Sequence, residues 1–122
     1  MMEAAMKKLL VVDDDSSNRI TLTLLLEDEG FEVAGAASSA DARAILSPGG
    51  AAFDVVLLDQ HLGDGLGTEL VPAFRARMPA AKLVLISGSI DKRDRADGEF
   101  DAYIPKGIAF PELLEQLRVL IG

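Results

Sequence analysis

Five short apolar runs, each ending at a polar residue, recur along the chain, and this alternation restricts the fold more than any other feature. Segments with helical spacing of apolar residues separate the runs. The runs are LLVVD at 9–13, FEVAGAA at 31–37, FDVVLLD at 53–59, KLVLIS at 82–87 and DAYIP at 101–105. Strands that alternate with helices predict an α/β fold with a parallel, doubly wound sheet, because each crossover carries a helix across the sheet.

Four well-marked helices are predicted from capping residues and apolar spacing. They span 18–29, ended by Gly30; 40–46, capped by Ser39; 69–78, capped by Thr68; and 112–121, opened by Pro111. Pro72 lacks a backbone N–H, so the helix that contains it is predicted to start late or to kink. The segment GSIDKRDRADGEF at 88–100 has few apolar positions, which predicts a short or degenerate fourth helix, or a loop, before the last strand.

Composition narrows the class of partner. Twelve basic residues against 20 acidic ones give a net charge of -8, which argues against a nucleic-acid or anionic-membrane surface. The absence of cysteine excludes disulfides and thiolate metal sites and suits a reducing cytoplasm. No apolar run approaches the roughly 18 residues of a membrane span. We therefore expect a single cytoplasmic domain over residues 1–122.

Carboxylates stand at the ends of two predicted strands. Asp13, Asp14 and Asp15 follow the first strand, and Asp59 ends the third. In a doubly wound sheet of this size the strand order reverses between these two strands, and ligands bind beyond their carboxyl ends. Acids gathered there need a cation, and hard oxygen ligands without His or Cys side chains favour Mg2+.

Two further residues at strand ends complete a site for a phosphoryl group. Ser87 ends the fourth strand and Lys106 follows the fifth. An ammonium group and a metal ion would neutralise phosphoryl oxygens, while a hydroxyl group would donate a hydrogen bond to one of them.

These motifs resemble the receiver domain of response regulators in bacterial two-component signalling. The matching residues are Asp13-Asp14 after LLVV, Asp59 after VVLL, Ser87-Gly88 after LVLI, and Tyr103 to Lys106. The resemblance covers essentially the whole chain. It implies the flavodoxin-like, CheY-like fold, with five parallel strands in the order 2-1-3-4-5.

The resemblance also implies a phosphoacceptor and a metal site. Asp59 would receive a phosphoryl group from a sensor histidine kinase or a histidine phosphotransfer protein, and the domain would signal to a downstream protein target. Asp14 and Asp59 would bind Mg2+ directly, Asp13 largely through a metal-bound water, and His61 through its backbone carbonyl. The chemistry would be limited to the domain's own phosphorylation and dephosphorylation, so it is not expected to be an enzyme.

The remaining implied roles concern switching and tuning. Ser87 would bind the phosphoryl group and move inward on activation, Tyr103 would follow it, and Lys106 would complete the anion site. His61 and Ser89 occupy positions whose side chains resemble those that tune phosphoryl lifetime, although His61 is equally well interpreted as a polar loop residue.

The chain departs from the family pattern after the lysine. The family usually has a proline there, preceded by a cis bond, whereas this chain has Gly107. The segment from Ser87 to Lys106 is also about three residues shorter than the common family spacing. It lacks the apolar face of the fourth helix, which puts signalling through that face in doubt.

Three alternatives stay open. Asp13 to Ser17 superficially fits the D-x-D-x-[ST] motif of Mg2+-dependent haloacid-dehalogenase-like phosphatases, but that family's Gly-Asp motif should follow the lysine, whereas here Gly63-Asp64-Gly65 precedes Ser87. That glycine-rich stretch is better interpreted as a flexible loop.

The second alternative is an interaction-only receiver, which would follow if Gly107 misplaced Lys106. The third is a receiver piece of a hybrid histidine kinase or a longer regulator.

Overall fold

The computed structural model describes residues 7–46, 52–88 and 100–121. Within these ranges, five strands form one parallel sheet in the order β2-β1-β3-β4-β5. The strands are β1 (Lys8–Val12), β2 (Glu32–Ala36), β3 (Val55–Asp59), β4 (Lys82–Ser87) and β5 (Ala102–Pro105). The predicted doubly wound α/β fold and its strand order are confirmed.

Four α-helices lie within the described residues. They are α1 (Ser16–Asp28), α2 (Ser39–Ile45), α3 (Val71–Arg77) and α4 (Phe110–Ile121), and a 3-10 helix, Gly67–Leu70, precedes α3. None of them is long and apolar enough to cross a membrane. The prediction of a short or degenerate helix before the last strand concerns residues 89–99, which lie outside the described residues, as does Ser89.

The central strand β3 is buried along its whole length, as the unbroken apolar run VVLL predicts. Successive side chains of a strand point to opposite faces, so the sheet contributes to two apolar layers. Leu10, Val56 and Leu58 pack in one layer with Phe74 of α3. The other layer joins residues of β1 and β3 to Leu26 of α1 and Leu117 of α4. The sheet is thereby packed on both faces.

The predicted N-terminal caps of two helices are wrong by one or two residues. Ser38, not Ser39, caps α2, because its extended backbone lets its hydroxyl oxygen accept a hydrogen bond from the Asp41 N–H at 3.0 Å. Thr68 does not cap α3 but lies in the 3-10 helix. Pro72 then occupies the first turn of α3, where a missing N–H costs nothing, so the late start predicted from this proline is confirmed.

Candidate functional site

The acids at the ends of β1 and β3 form one cluster. The strands are neighbours, with Val12 opposite Leu58, so the next residues emerge at the same edge of the sheet. Asp13, Asp14 and Asp59 each offer a carboxylate oxygen, and these oxygens lie within 4.8 Å of one another. Asp59 is buried, Asp13 is half-buried and Asp14 is exposed. The cluster is therefore reached by solvent through Asp14 and partly through Asp13.

Asp13 is held by hydrogen bonds on three sides. Its backbone N–H donates to the carbonyl of Ala36 at 3.0 Å, and its Oδ1 accepts from the Asp15 N–H at 2.9 Å. Arg19 Nη1 donates to the backbone carbonyl of Asp13 at 2.8 Å. Burial raises the pKa of Asp13 against the lowering effect of the Asp15 hydrogen bond, and the charge of Asp59 raises it further.

Asp15 has a different task from its two neighbours. Its Oδ1 accepts a hydrogen bond from the Asn18 N–H at 3.1 Å and caps the start of α1. The carboxylate is thus engaged with the helix and is not part of the acid cluster.

Asp59 lies between the acids and a cation. Its Oδ1 accepts a hydrogen bond from the His61 N–H at 3.2 Å, and Lys106 Nζ lies 2.9 Å from its Oδ2. At this distance the Lys106 ammonium group is the charged partner of the buried Oδ2. The contact with Asp59 raises the pKa of Lys106, so the ammonium stays charged at neutral pH.

The ends of β4 and β5 bring Ser87 and Lys106 to the same edge. Ser87 is opposite Pro105 and is buried, and its carbonyl accepts a hydrogen bond from the Lys106 N–H at 2.9 Å. Tyr103 lies further back along β5, where its hydroxyl accepts from the Phe100 N–H at 3.4 Å. The two rings meet edge to face, with centroids 5.7 Å apart.

The segment after Lys106 departs from the family pattern without displacing the lysine. No peptide bond in the described ranges is cis, and Gly107 has a φ of 85°, a left-handed conformation that glycine adopts freely. Because Lys106 Nζ still reaches Asp59, the geometry gives no support to the alternative in which Gly107 misplaces the lysine.

The loop after β3 packs closely against the backbone of Asp59 and Gln60. Gln60 accepts two hydrogen bonds from this loop. The Gly67 N–H donates to its backbone carbonyl at 2.8 Å, and the Thr68 N–H donates to the Gln60 side-chain oxygen at 3.2 Å. A Cβ at Gly67 would overlap with the carbonyl oxygen of Asp59. The sequence pattern did not single out Gly67 from the other glycines of this loop.

The donor set fits a hard divalent cation. Three carboxylates converge without a His or Cys side chain among them, and Lys106, the cation paired with Asp59, offsets one of the three charges. Converging carboxylates are costly unless cations offset their charges. The three acids are thus able to hold a metal ion of the Mg2+ or Ca2+ type.

Comparison with known proteins decides the family. Residues 9–118 match the model of the response regulator receiver domain. The chain belongs to this family. Among solved structures, this receiver domain is similar to a CheY-like receiver domain protein from Methanospirillum hungatei JF-1, with a TM-score of 0.86, 30% identity and coverage of 96% of this chain and 94% of that one.

Two further proteins show the range of its relatives. The response regulator TrrA from Thermotoga maritima, solved in complex with Mg(2+)-BeF, is 30% identical with a TM-score of 0.81, and the match covers 94% of the receiver domain and 99% of that chain. The sensory transduction protein RegX3 of Mycobacterium tuberculosis (strain ATCC 25618 / H37Rv) is 31% identical over 118 residues, 95% of this chain and 51% of that protein.

The receiver domain is shorter than its curated relatives. Its match covers 17% of AlgB from Pseudomonas aeruginosa, at 35% identity over 80 residues and 66% of this chain. It covers 44% of RegA from Rhodobacter capsulatus. The chain therefore spans less than half the length of these two relatives.

Proposed function

We propose that this receiver domain accepts a phosphoryl group on Asp59 in a Mg2+-dependent reaction and signals by a conformational change. The donor is a sensor histidine kinase or a histidine phosphotransfer protein, and the output is a downstream protein target. The observation that carries the proposal is the buried Asp59 carboxylate, which has Lys106 Nζ at 2.9 Å on one side and two further acids on the other.

The residues around Asp59 suit an in-line transfer. A carboxylate oxygen of Asp59 forms a bond to phosphorus while the phosphorus–nitrogen bond of the donor phosphohistidine breaks, and the imidazole leaves with that electron pair. Lys106 would offset the charge of the phosphoryl oxygens, and the Ser87 hydroxyl would donate a hydrogen bond to one of them. A bound Mg2+, held by Asp13, Asp14, Asp59 and the carbonyl of His61, would supply further neutralisation of that charge.

The conformational output follows from the new charge. A phosphoryl group adds negative charge and strong acceptor oxygens at the edge of the sheet, which attract Ser87 and Lys106. Complete reversal of a two-state element requires about 5.5 kcal/mol of differential stabilisation. Tyr103, in the neighbouring strand, is the proposed follower of Ser87, while His61 and Ser89 are the proposed tuning positions.

The proposal extends to the setting of the domain. Residues 1–122 are proposed to act as one receiver domain in the cytoplasm, without binding nucleic acid or a membrane. The net charge of -8 and the lack of cysteine support this setting. A hybrid histidine kinase or a longer regulator remains an equally suitable context.

Phosphorylation by acetyl phosphate tests the proposal. In the presence of Mg2+ we expect a mass increase of one phosphoryl group, and borohydride reduction followed by peptide mass spectrometry should map it to Asp59. Asp59→Asn should abolish the adduct, and a chelator should prevent it. An adduct on Asp13 would contradict the proposal and favour the phosphatase alternative.

A further inference from the structure

The loop after β3 is tied to α2 by one carboxylate. Asp64 Oδ1 accepts a hydrogen bond from the Ser39 N–H at 2.9 Å, and its Oδ2 accepts from the Ala40 N–H at 3.1 Å. These bonds lower the pKa of Asp64, so the carboxylate is ionised at neutral pH. Although the residue is exposed, both of its oxygens are engaged across 24 or 25 positions of sequence.

The same loop carries the predicted carbonyl ligand. His61 bridges to Leu66 in an antiparallel pair, and the Leu62 N–H donates to the carbonyl of Gly65 at 3.0 Å. The Asp64 N–H in turn donates to the carbonyl of Leu62 at 2.8 Å. Because these contacts join both ends of the loop and its interior, 61–66 forms one small closed unit.

This unit lies against the acid cluster. Gly63 has a φ of 76°, and a Cβ built on it would lie 3.6 Å from Asp14 Oδ2. A shift of the loop therefore changes both the distance of His61 from the acids and the space around Asp14.

The start of α2 has its own cap and does not depend on Asp64 alone. The hydroxyl of Ser38 satisfies the Asp41 N–H, while Asp64 satisfies the N–H groups of Ser39 and Ala40. Ser38 belongs to α2 itself, whereas Asp64 comes from another segment. The Asp64 bonds therefore join the loop to α2, whereas the Ser38 bond lies within the start of the helix.

We propose that Asp64 is a positioning residue, which holds the His61 carbonyl at the acid cluster by anchoring the loop after β3 to the first turn of α2. The inference rests on the proposed Mg2+ binding and deepens it. Asp64 does not touch the ion. Its effect on metal affinity passes through the position of residues 61–66.

Mg2+ titration of the 15N-labelled protein, followed by amide chemical shifts, tests the proposal. Asp64→Ala should weaken Mg2+ binding about tenfold, the lower end of what the loss of a group orienting a ligand usually causes. Asp64→Asn keeps one acceptor oxygen and should weaken binding less. In both variants the His61 and Leu62 amide shifts should differ from wild type before Mg2+ is added.

Two matched controls separate positioning from charge and from helix stability. Asp41→Asn removes a carboxylate from the same turn of α2 without touching the loop, and Ser38→Ala removes the cap of α2. Both should keep Mg2+ affinity within about twofold of wild type at moderate salt, where exposed charges are screened. Ser38→Ala should still lower the thermal midpoint.

Three results would overturn the inference. Equal losses of affinity in Asp41→Asn and Asp64→Asn would make the effect one of charge, and an equal loss in Ser38→Ala would make it one of helix stability. Wild-type affinity in Asp64→Ala would show that the anchor is irrelevant to the metal. By contrast, a wild-type protein without any response to Mg2+ would refute the proposed metal binding itself, and the positioning role with it.

Discussion

The two halves of the site are built differently. On the acid half, at the ends of β1 and β3, Asp13 is fixed by hydrogen bonds to its N–H, its carbonyl and its side chain, and Asp59 is buried at the end of its strand. On the opposite half, after β5, the ammonium group of Lys106 reaches Asp59 from a side chain that is 41% exposed. It is followed by Gly107 in a left-handed conformation.

The proposed metal binding and the proposed neutralisation of phosphoryl charge thus fall in different halves of the site. The sheet and its loops place the acids proposed to bind the metal, whereas a partly exposed side chain places the charge proposed to offset the phosphoryl group. At saturating Mg2+, a substitution after β5 should therefore slow phosphoryl transfer without weakening metal binding, and substitutions at Asp14 and Lys106 test this separation.

The largest effect is expected on the acid half, at Asp14. Asp14→Asn should weaken Mg2+ binding by roughly 100-fold, since it removes a proposed direct ligand and even residues that only orient ligands contribute 10- to 100-fold. Asp15→Asn is the matched control, because asparagine also caps helices and Asp15 lies outside the cluster. Mg2+ titration measures both, and similar losses in the two variants would contradict the division between these neighbours.

On the opposite half, Lys106→Ala should slow phosphorylation by acetyl phosphate roughly 10- to 100-fold. Removal of one preorganised stabilising group can cost more than this, but the exposure of Lys106 reduces the effect. Mg2+ affinity should be retained or should rise, because a competing cation beside Asp59 is gone. Initial rates at saturating Mg2+ measure the first effect and titration the second. A parallel loss of both properties would show that the two halves are not separable.

The strands of the sheet could be predicted from the sequence, because apolar runs and the polar residues that end them indicate burial directly. The buried run VVLL marks the central strand, and the acids at two strand ends follow from the reversal of strand order between them. The caps of α2 and α3 were less predictable. Ser38 and Ser39 are chemically identical caps, and only the backbone conformation, set by the exit from β2, decides between them.

The loop after β3 was the least predictable part of the site. Its glycines suggested a flexible loop, yet its conformation depends on contacts with residues distant in the chain. Asp64 bonds to the first turn of α2, which no local pattern indicates. Gly67 is required because of the adjacent Asp59 carbonyl, a contact that exists only after the loop has closed.

Gly67→Ala should be the most destabilising of the small substitutions near the site. The added Cβ meets backbone rather than a flexible side chain, so the loop must shift, and overpacking of this kind usually lowers the free energy of unfolding by about 1–3 kcal/mol. Gly88→Ala is the control, because no described residue beyond its chain neighbours lies within 4 Å of its Cβ position. Urea unfolding followed by circular dichroism measures both. Equal stability of the two variants would show that the loop adapts freely.

The smallest effect is expected from Asp13→Asn in metal-free buffer. Unlike Gly67→Ala, this substitution should raise the free energy of unfolding. Because burial and Asp59 raise the pKa of Asp13, the folded state holds its proton more tightly than the unfolded state, and stability falls as pH rises from the ordinary value of 3.8 through the folded-state pKa. At neutral pH the variant should therefore be more stable than wild type by about 1 kcal/mol, after allowance for solvent screening.

Urea unfolding with a chelator, at neutral pH and below the ordinary Asp pKa, checks this prediction. The advantage of Asp13→Asn should disappear at the acid end, where the wild-type carboxyl group is protonated as well. The introduced asparagine would still accept the hydrogen bond from the Asp15 N–H, so a loss of stability at neutral pH would mean that charge repulsion does not govern the acid half. Added Mg2+ should reverse the order of the two proteins, because the cation offsets in wild type the same repulsion that the substitution removes, and it binds the variant less tightly.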